Sequence, residues 1–189
     1  ATVGTASVEP TMRKALAIGA DEAIRIDAEP TDGLFVALQL AEVIKNGAYD
    51  LVIAGRESID YNGGMVPGMI AAMLEMNFVN TCIGLEIEGE QVTAVREIDG
   101  GKETLKTQLP LIIGGQKGLV EESDLRIPNM RGIMMARKKT LTVVPPVPMD
   151  PGTRDQTFEK PAPKGDVKLV DAENLDALID LLHKEAKVI

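Results

Sequence analysis

The sequence predicts a three-layer α/β fold built on a parallel sheet, with an antiparallel meander inserted beside it and an extended arm after it. Three observations carry this. Helix-period and strand-like segments alternate with short loops from the start of the chain to Gly55, the rhythm of strand-helix-strand units with right-handed crossovers. Leu51–Gly55, LVIAG, is a short continuous apolar run of the kind found in parallel strands buried on both faces. Between Cys82 and Leu109 the rhythm changes to three alternating runs joined by turns at Glu88–Glu90 and Asp99–Gly101, the pattern of antiparallel hairpins.

The elements follow in order. The opening ATVGT reads as the end of a strand and a glycine turn. Ser7 is placed to cap a helix with Met12, Ala15 and Leu16 on one face, and Gly19 stands where a left-handed C-terminal residue is wanted. EAIRID follows as a strand. After the turn from Pro30 to Gly33, the residues Leu34, Ala37, Leu38, Ala41 and Ile44 form the apolar stripe of a second helix, ended by Gly47. LVIAG is the next strand, and a helix runs from about Pro67 to Met76. The meander strands are TCIGLEIEG, QVTAVREIDG and KETLKTQL. LPLIIGG re-enters the sheet, RGIMMARKK (Arg131–Lys139) is a short basic helix, and TLTVV is a final strand. From Pro145 to Gly165 six prolines and few apolar residues exclude helix and central strand, so this segment is an extended arm. Leu175, Leu178, Ile179, Leu182 and Ala186 then mark an amphipathic helix starting near Asp171, which needs a surface to cover its apolar face. The expected organisation is residues 1–144 as the α/β unit and residues 145–189 as the proline-rich arm and its helix.

Composition narrows the function. With 29 acidic and 20 basic residues the net charge is −9, which disfavours nucleic acid and anionic membranes as partners. No Trp, two Tyr and three Phe leave almost nothing for stacking bases. One cysteine forms no internal disulfide and fits a reducing compartment. No apolar run approaches the roughly 20 residues of a membrane span, so direct membrane insertion is not expected. The single histidine, His183, lies on the last helix, so a Ser-His-Asp triad or a multi-histidine metal site has nothing to draw on. Neither a catalytic residue nor a metal ligand is assigned.

Ligands bind parallel α/β sheets beyond the carboxyl ends of the strands, and two loops qualify. One is Val3-Gly4. The other is GRESIDYNGGMVPG, where Gly55, Gly63, Gly64 and Gly68 permit close backbone approach and positive φ, and the next helix points its amides forward. That describes a phosphate site without a lysine, matching neither of the common glycine-rich phosphate motifs. Ser58 and Asp60 can hydrogen-bond a ribose or an exocyclic amine; the alternative is a glycine-rich connection that holds no ligand. Cys82 reads as a small core residue, and Glu97 with Asp99 as a solvated hairpin end. Arg126–Lys139 combines Arg126, Arg131, Arg137, Lys138 and Lys139 with Ile127, Met130, Ile133, Met134 and Met135. It reads either as an adaptable docking surface or as a solvated helix face over core.

Three stretches together resemble one family. AVREIDGGKETLKTQLPLII, with Arg96, Asp99, Gly100, Gly101, Glu103, Leu105 and Pro110, is similar to the signature segment of the electron transfer flavoprotein β subunit, with Gly114 where a small Ala, Ser, Thr or Cys is usual. RIPNMRGIMMARKK resembles its loop and basic helix, and MRKALAIGADEAIRI its early helix and strand. The resemblance implies a Rossmann-like sheet of the adenine-nucleotide α-hydrolase type that carries AMP or a second FAD. It implies an α subunit holding most of the redox-active FAD, and electrons drawn from acyl-CoA dehydrogenases or similar flavoenzymes in fatty acid oxidation. The chain is then an electron carrier without catalytic residues of its own, in a bacterial cytoplasm. By position Val3, Gly4, Ser58, Asp60, Gly64, Met65 and Val66 match the nucleotide loops, with Gly55 and Gly63 beside them. Met65-Val66-Pro67 replaces the usual Gln, Thr or Val, Gly, which leaves phosphate to backbone amides because Met donates no hydrogen bond. Met130 occupies the position of the apolar docking anchor, usually Leu, with Arg131, Ile133, Met134 and Lys138 around it. The arm and terminal helix are expected to lie on the α subunit. Family members have a strand, a helix and further sequence before the position of Ala1, so at least one βα unit, on the order of 30 residues or more, is expected to be lacking here. The alternative is a stand-alone adenine-nucleotide sensor of the universal-stress type; the meander and the arm favour the carrier, because a minimal sensor needs neither.

Overall fold

The computed structural model describes residues 1–59 and 62–189. Its elements in chain order are β1 (Thr2–Val3), α1 (Glu9–Ile18), β2 (Ala23–Ile26), α2 (Gly33–Gly47), β3 (Leu51–Gly55), α3 (Val66–Leu74), β4 (Asn77–Glu88), β5 (Gln91–Ile98), β6 (Gly101–Gln108), β7 (Leu111–Gly115), α4 (Met130–Ala136), β8 (Leu141–Val144) and α5 (Leu175–Asp180). A π-helical stretch, Leu181–Ala186, continues α5. The chain divides into two units, Ala1–Arg154 and Asp155–Ile189.

The α/β class and the inserted meander are present, but the parallel strands fall into two sheets. β1, β2 and β8 form a three-stranded parallel sheet, and the other has the order β3-β7-β4-β5-β6. In the second sheet β3, β7 and the first part of β4 are parallel, and β4, β5 and β6 are antiparallel. β4 thus serves both halves. Asn77–Val79 lies beside Leu111–Ile113 of β7, and after a register shift Gly84–Glu88 pairs with Gln91–Val95. The strand starts at Asn77 rather than near Thr81 because the Asn77 amide bonds Pro110 O at 3.3 Å and Val79 is buried against β7.

The expectation that β3 is buried on both faces fails. β3 pairs only with β7 among the described residues, and Ile53 is 61% exposed. Its neighbour Val52 faces the other way, into a cluster of Ala37, Ala41, Ile44, Ile70, Ala71 and Ile112 between α2, α3 and β7. An apolar run alone does not tell a strand covered on two faces from one covered on a single face. A second cluster, Val79, Cys82, Val92, Ala94, Leu111 and Ile113, lies on the other side of β7 and under the meander.

Helix ends show what local sequence decides. Ser7 does not cap α1: a short 3-10 turn, Ala6–Val8, precedes the helix, and the Ser7 hydroxyl meets Thr5 Oγ1 at 2.9 Å. Gly19 ends α1 at φ 137, while Ala48, not Gly47, takes the left-handed position after α2. Asp32 caps α2, accepting from Phe35 N at 2.7 Å, and also accepts from Thr153 N at 2.9 Å. Nearby, Gln39 exchanges two hydrogen bonds with the backbone of Val147, at 2.8 and 2.9 Å. These contacts lay residues 147–153 of the proline-rich segment along α2.

The amide of Phe35, more than any other donor, holds the Asp32 carboxyl below the usual carboxylate range. A depressed folded-state pKa stabilises the chain above the unfolded value and loses that contribution as pH falls through the folded one. Asp32→Ala is therefore expected to cost about 1 kcal/mol at neutral pH, the usual cost of a lost cap. The difference from the parent should shrink toward zero as the medium is taken below the ordinary carboxylate range, which paired denaturation curves would show.

In the unit Asp155–Ile189, Asn174 caps α5 through Ala177 N at 3.2 Å, and Lys168 pairs with Glu185. The helix begins at Leu175 rather than near Asp171. Leu175, Leu178 and Ile179 remain exposed on it.

Candidate functional site

The first loop follows β1. Gly4 donates to Ile26 O at 3.0 Å and its carbonyl accepts from Arg25 Nη1 at 2.9 Å, so both of its backbone groups are engaged by β2. Arg25 is 5% exposed and ion-paired to Glu9 at 3.0 Å and to Asp27 at 2.5 Å. Donating hydrogen bonds to Asp27, ahead of Glu9, keeps that guanidinium firmly charged against its burial. A buried guanidinium with three acceptors fixes the direction of the loop and the start of α1. Val3 itself is buried, against Ile26 and Phe35. A ligand here meets a shaped wall rather than free amides.

The second loop follows β3. Arg56 N bonds Gly115 O at 3.2 Å, and Ser58 and Gly63 are joined by two backbone bonds of 2.8 and 3.1 Å. Asp60, expected at the site, lies outside the described residues. None of Gly55, Gly63, Gly64 and Gly68 takes positive φ; Asn62 does, at 53. These glycines supply room instead. A Cβ on Gly63 would meet nothing within 4 Å, and one on Gly68 would stand 3.3 Å from the Phe78 ring. α3 then begins at Val66 without a side-chain cap, leaving its first amides without intrahelical partners. Met65 is 54% exposed, and its side chain packs on Gly33 at the start of α2. Val66 approaches the same glycine, and Phe35, two residues on, packs on Val3. The two loops therefore both meet α2 at its N-terminus. An uncapped helix start beside an open glycine wall suits an anionic group held by backbone, as an adenine nucleotide would present, and offers no cationic side chain to a phosphate. The depression of about 410 Å³ near the C-terminal ends of α2 and α3, lined by Leu38, Lys45, Met73 and Glu75 among others, lies away from these loops.

Sequence reasoning missed a third feature. In the register shift of β4, Thr81 adopts φ 52, uncommon for a β-branched residue, and its hydroxyl bonds Glu97 O at 2.7 Å. Beside it Asn80 Oδ1 is buried without a hydrogen-bond partner. Gly114 on β7 makes the space: a Cβ there would overlap that oxygen. The signal was the absence of a side chain at Gly114, which one sequence does not explain. Cys82 is buried, with Sγ at 3.2 Å from Gly84 O, and burial pushes its thiol pKa up, as suits a core residue. Glu97 accepts from Gln116 at 2.5 Å.

The basic stretch sorts into two faces. Lys139 Nζ reaches the carbonyls of Leu16 and Ala20 at 3.0 and 2.5 Å, capping α1, while Arg13 Nη1 reaches those of Ala136 and Lys139 at 2.8 and 2.7 Å. These bonds seat α4 on α1, and Asn129 caps α4 through Gly132 N at 2.7 Å. Arg131, Arg137 and Lys138 stay exposed. So do Met130 at 75%, Met134 at 65%, Met135 at 53% and Ile133 at 42%. The helix is shorter than expected, ending at Ala136.

The molecule is thus an α/β unit with glycine-bearing loops at its strand ends and an exposed Met-rich helix. Residues 1–149 match the model of the electron transfer flavoprotein domain, and the chain belongs to that family. The relatives it resembles include proteins named as β subunits. It is 35% identical to the electron transfer flavoprotein subunit beta of Bacillus subtilis over 202 aligned residues, covering 100% of this chain and 77% of that protein. The subunit beta of Bradyrhizobium diazoefficiens is 31% identical, over 100% of this chain and 76% of that protein. The human subunit beta is 34% identical over 76% of this chain and 57% of its own length. Among the described residues no helix is long and apolar enough to cross a membrane.

Proposed function

We propose that the chain is the β subunit of a heterodimeric electron transfer flavoprotein, an electron carrier rather than an enzyme. It pairs with an α subunit that holds most of the FAD, and passes on electrons from acyl-CoA dehydrogenases or similar flavoenzymes. The flavin, when bound, supplies the uptake and release of electrons. This chain's residues do the rest. The loops at Val3-Gly4 and Gly55–Val66 bind AMP or a second FAD by shape and backbone amides, with Ser58 and Asp60 toward the sugar or base. The terminal helix covers its apolar face on the α subunit, and residues 145–189 act as the arm that brings it there.

The observation that carries this reading is α4, with its Met-rich face exposed and rimmed by Arg131, Arg137 and Lys138 on a chain of net charge −9. Flexible thioether side chains repack against different partners, which suits a carrier that meets several dehydrogenases briefly. A stand-alone sensor has no use for such a face.

Met130→Ala is expected to slow electron acceptance from a dehydrogenase about tenfold, the loss of one interface anchor worth about 1.4 kcal/mol, while flavin content stays unchanged. Stopped-flow reduction of the complex, read beside its flavin absorbance, checks this. Loss of flavin with the variant would move Met130 from docking to folding. Denaturing the complex and counting what is released, one FAD with one AMP or two FAD without AMP, tells which ligand the β subunit carries.

A further inference from the structure

We propose that Asn80 is a ligand-reading residue of the nucleotide site, its carboxamide accepting a hydrogen bond from an N–H at the edge of the bound heterocycle. The inference rests on the reading of this chain as nucleotide-binding and adds a residue to it. Three independent observations converge on one spot.

The first is the orphan. Among the described residues Asn80 Oδ1 is the buried side-chain oxygen or nitrogen left without a partner. An unpaired buried acceptor is costly and rare in folded chains, and the free protein retains it. The second is strain. The bulge that carries Asn80 is completed by Thr81 at φ 52, and the Thr81 hydroxyl ties it to Glu97 O at 2.7 Å and to Asn80 O at 2.8 Å. Strain of this kind persists where the surroundings over-determine it, and it clusters at ligand sites. The third is the space. Gly114 is buried in β7, and any side chain there would take the place of the Asn80 carboxamide.

Location gives these observations a meaning. Gly114 pairs with Ala54 and Gly115 with Gly55, at the carboxyl ends of parallel strands, where α/β sheets bind ligands. The backbone of Arg56 lies over the same spot, with its Cα 3.4 Å from the Cβ position of Gly114, and Arg56 opens the glycine-rich loop. The Arg56 side chain, paired with its neighbour Glu57, is 37% exposed and borders this spot. Adenine and the flavin ring system both present N–H groups at an edge, so either can be the donor.

The test is calorimetric titration of the chain with AMP, FMN and FAD, for the parent, Asn80→Ala and Asn80→Asp. Asn80→Ala removes the orphan, so the free protein is expected to melt about 2–4 °C higher. The same variant should weaken FAD at least tenfold, together with either AMP or FMN, and whichever half loses affinity identifies the heterocycle. Asn80→Asp keeps an acceptor but buries a charge; it should lower the melting temperature while keeping affinity closer to the parent than Asn80→Ala does. The proposal is overturned if Asn80→Ala binds all three as the parent does. It is also overturned if that variant melts lower with unchanged affinities, which is the signature of a purely structural residue. If the parent binds none of the three, the nucleotide-site reading falls and this inference falls with it.

Discussion

Gly132→Ala is expected to lift α4 off α1 and to destabilise the chain by about 1–3 kcal/mol, the cost of forcing volume into packed structure. A methyl group at this position would stand 2.5 Å from the carbonyl oxygen of Ala17 and 3.3 Å from Asn129 Oδ1. The first contact decides the outcome. A side chain can turn away from an added methyl, but a backbone oxygen in the last turn of α1 moves only with its helix. The bonds at risk are those that seat α4, from Arg13 to the carbonyls of Ala136 and Lys139 and from Lys139 to those of Leu16 and Ala20. Because Met130 and Met134 project from that helix, the variant should also accept electrons more slowly than stability loss alone explains. Denaturant midpoints and stopped-flow reduction, with Gly165→Ala as control because a Cβ there meets nothing within 4 Å, separate the two effects.

Ile112→Ala should be more damaging to the fold itself. Ile112 is fully buried in β7, paired with Val52 of β3 on one side and Phe78 of β4 on the other. Its neighbours in the core include Ala37, Ala41 and Ala71, which have no length to reach into a void. The site collapses poorly, so the cost falls in the upper part of the range for such truncations, about 4 kcal/mol. That corresponds to a melting temperature lower by about 10 °C for a chain of this size. Ile112→Val, which deletes one methyl, should cost about 1 kcal/mol. Equal losses for the two variants would mean that the cavity argument is wrong.

The helices and the meander were legible in the sequence because each is encoded locally, by spacing of apolar residues and by turn residues. Leu34, Ala37, Leu38, Ala41 and Ile44 mark α2, and Asp99-Gly100-Gly101 marks the turn between β5 and β6. What was not legible depends on residues far apart in the chain. Whether LVIAG is covered on one face or two depends on what packs over it. Ser7 satisfies every local requirement of a cap and yet bonds Thr5, because a 3-10 turn comes first. Of the candidate site, the two glycine-bearing loops were readable from position alone. Arg25 was not, since a lone arginine in a strand gives no sign that Glu9, Asp27 and Gly4 converge on it. Asn80 was hidden for the same reason: its meaning lies in Gly114, on another strand. The basic run at α4 was visible, but its division into residues that hold α1 and residues that face outward appears only when α1 and α4 are packed together.

Co-expression with an electron transfer flavoprotein α subunit tests the central claim most directly, by size-exclusion chromatography with absorbance read in the flavin band. A yellow complex of one chain of each kind, with FAD released on denaturation, is the expected result. Two colourless chains that elute separately, with no nucleotide released, would contradict it.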